Sequence, residues 1–201
     1  MDTKRDIFAG EDPIKLFKEW LLEAEVTELN DPNAIALASV DSEGLPNVRI
    51  VLLKDISQDS FVFYTNYGSV KSQELQASKK ASFAIHWKSL RRQIRVRGNV
   101  VLEDGSLADS YYASRSLKSR IGAWASRQSS PLESREELES KFKSYSVSLG
   151  NEPARPPFWG GYRLIPTEIE FWADGADRLH DRYRWSRANV ESNWHVTRLQ
   201  P

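Results

Sequence analysis

The sequence predicts a mainly β fold with added helices, its strands forming an antiparallel barrel. Three observations lead there. Runs rich in β-branched and aromatic residues adjoin one another, most with no long helix between them, which argues against a parallel α/β sheet. Turn signals separate these runs, among them Asp41-Ser42-Glu43-Gly44 and Asn66-Tyr67-Gly68. The 201 residues are 40% hydrophobic, enough for one core, and show no repeat, low-complexity segment or interdomain linker. One domain over 1–201 is therefore expected, with an N-terminal arm and helix over 1–30, a helical insertion over 104–149 and C-terminal strands over 158–201.

Each element has its own signal. Asp12 before Pro13 caps a helix that aligns Ile14, Phe17, Trp20, Leu21 and Ala24 in one apolar stripe. Strands over 34–40 and 48–54 flank the first turn as an antiparallel pair, and a third follows over 61–65. Ser69 can cap a short helix ending near Ser78, after which 81–87 and 93–102 read as strands. Helices are expected over 104–115, 116–125 and 133–145, the last charged and superficial. A loop over 151–157 holds Pro153, Pro156 and Pro157, and strands follow over 161–166, 169–172, 180–186 and 194–199.

Composition excludes several function classes. Lys plus Arg equals Asp plus Glu at 28 each, so net charge gives no general affinity for nucleic acid or an anionic membrane. The basic run Arg91, Arg92, Arg95 and Arg97 is what a nucleic-acid reading would rest on, and neutrality counts against it. Without cysteine there is no disulfide, thiolate metal site or cysteine nucleophile, which fits a reducing cytoplasm. His86, His180 and His195 show no metal-ligand spacing. The charged start Met1–Asp6 leads into no apolar segment, and no stretch has the length of a membrane span. Dinucleotide, P-loop and nucleophile-elbow motifs are absent.

What remains is a pattern of basic and hydroxyl side chains. Alternation in Arg92-Gln93-Ile94-Arg95-Val96-Arg97 puts Ile94 and Val96 on one face and Gln93, Arg95 and Arg97 on the other, as in any half-solvated strand. Arg49 and Lys54 bracket an apolar run with opposite parity, so they point to different faces and serve different ligands, or one is merely exposed. Tyr111, Arg115 and Ser119 are spaced by four, one face of a helix if helical geometry persists. That trio can surround a phosphate, or be an ordinary polar face. On a strand, Arg178, His180 and Arg182 would share one side, where three cationic-capable groups repel unless an anion lies between them.

Along nearly its whole length, from Asp31 on, the sequence resembles the pyridoxine/pyridoxamine 5′-phosphate oxidase family. The matching strings are Arg49-Ile50-Val51-Leu52-Leu53-Lys54, Phe63-Tyr64-Thr65-Asn66, Ile121-Gly122-Ala123-Trp124, Gln128-Ser129-Ser130, Phe158-Trp159-Gly160-Gly161, Glu170-Phe171-Trp172 and Arg178-Leu179-His180-Asp181-Arg182. Each alone is weak, but their order together is specific. The resemblance implies a Greek-key split barrel that binds FMN and forms a homodimer, with flavin sites at the subunit interface. It implies oxidation of pyridoxine or pyridoxamine 5′-phosphate to pyridoxal 5′-phosphate, with O2 as acceptor and H2O2 released. FMN would be held by Arg49, Ile50, Val51, Leu52, Leu53, Lys54, Tyr64, Thr65, Lys71, Gln93, Gln128, Ser129, Trp172 and Arg182, some from the partner subunit. Lys54, Tyr111, Arg115 and Ser119 would grip the substrate phosphate. Arg178, Leu179 and His180 would lie at the substrate ring, with Arg178 and His180 closest to the chemistry.

Two departures accompany the match. Val70 stands where the family usually has a basic residue before the lysine at position 71, removing one phosphate contact. No counterpart is read here to the longer N-terminal arm, with Arg and Tyr, of many members. Alternatives are another split-barrel flavoprotein such as a flavin reductase, and a non-catalytic FMN- or pyridoxal-phosphate-binding module.

Overall fold

The computed structural model describes residues 7–57 and 59–201. Residues 1–6 of the expected N-terminal arm lie outside the described residues. Eight strands form one antiparallel sheet: β1 (Ala34–Val40), β2 (Pro46–Ser57), β3 (Ser60–Asn66), β4 (Lys80–Trp87), β5 (Arg92–Glu103), β6 (Trp159–Ala173), β7 (Asp181–Ser186) and β8 (His195–Leu199). Their order is β3-β2-β1-β4-β5-β6-β7-β8, and β3 also pairs with β6. That extra pairing closes six strands into a barrel and leaves β7 and β8 as an extension. The return of β4 to lie beside β1, after the β1-β2-β3 meander, is the Greek-key step. The connection that makes it is helix α2 (Val70–Ser78).

Helix α1 (Pro13–Thr27) caps the barrel. Asp12 accepts hydrogen bonds from Ile14 N at 2.8 Å and Lys15 N at 3.2 Å, satisfying amides that have no partner within the helix. The stripe then meets the barrel interior: the Phe17 ring centroid lies 4.8 Å from that of Phe61, and Trp20 lies edge-on to Phe171 at 5.1 Å. Both α1 rings are buried. Fully burying side chains of this size contributes about 1.5–3 kcal/mol each.

The two strands expected over 161–166 and 169–172 are one continuous strand, β6. Proline is disfavoured inside a sheet because it lacks an N–H. Pro166 lies opposite Gly98, beside a register shift at which Thr167 is left without a β5 partner, and the bulge there interrupts the regular ladder. Gly98 permits the close approach, since a Cβ there would meet Ile165 O at 2.0 Å. As a result, the first half of β6 pairs with β3 and the second half with β7.

Helices α3 (Ser106–Ser114), α4 (Leu117–Ala125) and α5 (Arg135–Leu149) form the insertion between β5 and β6. The 111–119 segment is not one helix. Arg115 is extended, at φ −73° and ψ 152°, and Ser116 starts α4 by accepting from Ser119 N. His180 is likewise not on a strand: a 3-10 turn spans Ala176–Arg178, with Asp177 and Arg178 both at positive φ, and β7 begins at Asp181. Among the described residues no helix is long and apolar enough to cross a membrane.

Candidate active site

A cleft of about 750 Å³ opens along β2, the end of β3, the start of α2, and the helical insertion. It gathers Arg49, Ile50, Val51, Leu52, Lys54, Tyr64, Thr65, Lys71, Tyr111, Arg115, Ser119, Gln128 and Ser129. The opposite parity of Arg49 and Lys54 therefore does not assign them to separate cavities. The register of β2 against β3 shifts between Leu53 and Asp55, at Lys54 itself, and both cations line the same cleft. Leu53 lies in the core instead, 3% exposed, with its N–H bonded to Asn33 O and its carbonyl to Asn33 Nδ2.

One cationic pair sits where β3 turns into α2. Lys71 is buried, and its Nζ donates to Thr65 Oγ1 at 3.1 Å and Ser69 Oγ at 3.2 Å. Thr65 Oγ1 in turn donates to Gln128 Oε1 at 3.2 Å, which ties the Gln128-Ser129 loop to β3. Ser69 does not cap α2 with its side chain as expected; its hydroxyl donates to Asn66 O, within the Lys71 network. Burial pushes the Lys71 ammonium below the ordinary lysine value, the neighbouring Arg49 charge adds to that, and Glu74 opposes it. Two cations this close are favoured by an anion between them. Arg49 donates to Leu37 O at 3.2 Å and to Glu74 Oε2 at 3.0 Å.

The second pair stands by an aromatic stack. Tyr64, Tyr111 and Trp159 lie nearly parallel, with interplanar angles of 18° for Tyr64–Tyr111 and 5° for Tyr64–Trp159. Arg115 lays its guanidinium 4.8 Å from the Trp159 ring centroid, and Lys54 Nζ is 5.9 Å from that of Tyr111. Arg115 Nη1 is buried and has no hydrogen-bond partner among the described residues. Burial, then the carboxylates of Glu103 and Asp55, push the Tyr64 phenol up to about 12, so it stays protonated. Trp159 was absent from the expected site residues. The available signal was its place before Gly160-Gly161: a Cβ at Gly161 would lie 2.9 Å from the Tyr64 ring.

Gln93, Trp172, Arg178, Leu179, His180 and Arg182 do not line this cleft. Gln93, Trp172 and Arg182 lie abreast on β5, β6 and β7. The His180 ring is 4.7 Å from Trp172, and its Nδ1 accepts from Gly175 N at 3.2 Å. Protein carboxylates lie beside these groups: Arg182 donates to Glu170 at 2.8 Å, and Asp174 lies 3.2 Å from His180. Arg178 stands exposed in the turn that precedes β7. The basic run at the start of β5 is also engaged, with Arg91 on Asp174, Arg92 on Glu23 and Arg95 on Glu170.

Two family models match this chain: pyridoxamine 5′-phosphate oxidase over residues 21–147, and the pyridoxine 5′-phosphate oxidase C-terminal dimerisation region over residues 159–201. The chain belongs to the pyridoxamine 5′-phosphate oxidase family. Among its relatives, the pyridoxine/pyridoxamine 5′-phosphate oxidase of Roseobacter denitrificans is 60% identical over 201 residues, covering all of both chains. That of Cereibacter sphaeroides is 62% identical over 195 residues, 97% of this chain and 98% of the relative. In three dimensions the fold is similar to PhzG from Burkholderia lata, solved with tetrahydrophenazine-1-carboxylic acid. The TM-score is 0.91 at 34% identity, covering 100% of this chain and 99% of that one. For a family that acts on a phosphorylated substrate, the donor set of the cleft is the relevant feature. Its two cationic pairs, one holding a buried unpaired guanidinium nitrogen, fit phosphate groups.

Proposed function

We infer that this chain is an FMN-dependent oxidase converting pyridoxine 5′-phosphate or pyridoxamine 5′-phosphate to pyridoxal 5′-phosphate. The alcohol and O2 yield the aldehyde and H2O2; the amine, with O2 and water, yields the aldehyde, ammonia and H2O2. The observation that carries the reading is the presence of two separate cationic pairs in one cleft, Arg49 with Lys71 and Lys54 with Arg115. Two phosphate monoesters, cofactor and substrate, are what such a cleft would bind side by side. The 60% identity to a curated oxidase over the full chain supports the same conclusion.

Held by the residues named below, FMN would supply the two-electron redox chemistry that couples oxidation at C4′ to reduction of O2. Every other task falls to the chain. Arg49 and Lys71 hold the flavin phosphate, with Thr65, Gln128 and Ser129 supplying hydrogen bonds around it. The β2 backbone from Ile50 to Leu52 lines the ring, with Leu53 packed behind it. Lys54, Tyr111, Arg115 and Ser119 anchor the substrate phosphate, remote binding energy that serves to align C4′. Alignment of two flat rings can lower a barrier by several kcal/mol.

Gln93, Trp172, Arg182, Arg178, Leu179 and His180 complete the site from the partner subunit of a homodimer. The match of residues 159–201 to a dimerisation region supports that arrangement, since five of these six lie within it. Arg178 offers a flat permanent cation to the pyridine ring and its phenolate oxygen, and His180 donates a hydrogen bond to the same region. We place the enzyme in the cytoplasm, with no nucleic-acid or membrane partner. Oxygen uptake by the FMN-loaded dimer on adding pyridoxine 5′-phosphate tests the reading. An oxidase consumes oxygen and forms the aldehyde in equal amounts, whereas a flavin reductase or a binding module does neither.

A further inference from the structure

Arg49, which lines the cleft, is bonded to a carboxylate to which the reaction assigns no role. Glu74 lies on α2, three residues after Lys71, and its side chain is buried. Its Oε1 accepts from Asn47 Nδ2 at 3.0 Å, and its Oε2 accepts from Arg49 Nη2 at 3.0 Å and from the Ser39 hydroxyl. Burial pushes this carboxyl up, but the hydrogen bonds from Ser39, Asn47 and Arg49 outweigh burial and hold it below the ordinary carboxylate range. With both oxygens engaged, the carboxylate has one orientation.

We propose that Glu74 is a positioning residue that makes the cleft selective for a phosphorylated flavin over riboflavin, by fixing the Arg49 guanidinium in the orientation that meets the phosphate. The proposal rests on the reading of Arg49 as a ligand of the flavin phosphate. Arginine loses much rotamer freedom when held in one geometry, and a ligand that must impose that order binds less tightly. Here the order is imposed beforehand. Arg49 Nη1 donates to Leu37 O and Ser39 Oγ and Nη2 to Glu74, which occupies three of its five N–H donors and leaves two for a ligand.

The charge balance is a separate matter. A buried cation without a counterion is costly, and Lys71 and Arg49 lie close together. Glu74 offsets part of that cost while the anion is absent, which contributes to stability rather than to anion affinity. Val70 also lines the cleft and adds no third cation, so phosphate recognition leans on the placement of the two that are present.

Position and charge can be separated by substitution. Glu74→Asp keeps the charge but withdraws the carboxylate by one methylene, out of simultaneous reach of Arg49, Ser39 and Asn47. Glu74→Gln keeps the reach and an acceptor oxygen but loses the charge. FMN and riboflavin dissociation constants are measured by flavin fluorescence quenching on the full-length apo dimer, with thermal unfolding of each variant as a check on folding. Glu74→Asp is expected to weaken FMN about tenfold, the loss of roughly one charge-assisted hydrogen bond, and to leave riboflavin unchanged. Glu74→Gln is expected to bind FMN as tightly as the parent or more tightly. Arg49→Ala provides the reference by abolishing the preference for FMN. Equal weakening of both flavins by Glu74→Asp would mark a merely structural residue and overturn the proposal, as would an unchanged FMN constant. If Arg49→Ala keeps the full preference for FMN, the assignment of Arg49 fails and takes the proposal with it. If Arg49→Ala loses the preference while both Glu74 variants keep it, only the proposal fails.

Discussion

Arg115 offers the sharpest perturbation of the substrate site. In the free protein its guanidinium rests on Trp159, yet Nη1 is buried without a partner, so the side chain brings the fold little beyond that ring contact. A cation–π contact of this kind is worth about 0.5–2 kcal/mol. Its loss in Arg115→Ala should lower Tm by only a few degrees, at about 2–4 °C per kcal/mol for a chain of this size. Substrate binding should suffer more, because a charge-assisted bond to phosphate contributes about 1.5–3 kcal/mol. That range corresponds to a rise in KM for pyridoxine 5′-phosphate of roughly 10- to 150-fold. Arg115→Lys should fall between, since lysine keeps the charge but not the planar fork. The assay is steady-state peroxide formation, normalised to bound flavin. FMN content should stay at the parental level because Arg115 belongs to the other cationic pair. Loss of FMN from Arg115→Ala, or an unmoved KM, would refute the assignment.

Three further outcomes follow from the same geometry. Val70→Arg adds a cation at the cleft and should lower the FMN dissociation constant severalfold; an unchanged constant would show that the position does not reach the phosphate. Lys71 binds an anion only while protonated, and burial has lowered its pKa, so FMN affinity should fall as pH rises through a value below the usual 10.5. A fluorescence titration with affinity flat up to that pH would contradict it. Arg178→Ala and His180→Ala should each lower kcat/KM at least tenfold, equivalent to about 1.4 kcal/mol, with Tm nearly unchanged. A lowered Tm with parental flavin reduction under anaerobic stopped flow would instead make the turn a structural patch.

The barrel was legible in the sequence because strand periodicity and turn residues are local signals. Asp12-Pro13 and Asp41-Ser42-Glu43-Gly44 stand where the caps and turns they imply are found. Continuity through Pro166 was not legible, because a proline ends a strand unless a bulge beside it excuses it, and the bulge at Thr167 exists only in the pairing with β5. For the same reason the spacing of Tyr111, Arg115 and Ser119 predicted the right neighbourhood by the wrong geometry: the helix breaks at Arg115 and all three still line the cleft. Alternation also failed for Arg178 and His180, which occupy a turn with two successive left-handed residues. Glu74 and Trp159 were not assigned to the site because neither belongs to a polar pattern along the chain. Each gains its place through contacts across the fold, Glu74 with Arg49 and Trp159 with Tyr64.

A mixed dimer tests most directly the claim that each oxidase site combines one subunit's phosphate cluster with its partner's Arg178–His180 turn. Arg115→Ala and Arg178→Ala subunits, each carrying FMN, are assayed alone and after co-refolding in equal amounts, with pyridoxine 5′-phosphate kept well below the parental KM. In a two-fold dimer with shared sites, a mixed pair places both substitutions in one site and leaves the other intact. Half the dimers being mixed, activity should recover to about a quarter of the parental rate, far above either variant alone. Recovery absent from a preparation that is dimeric, flavin-loaded and demonstrably mixed would place both residues in the same subunit's site and contradict the account.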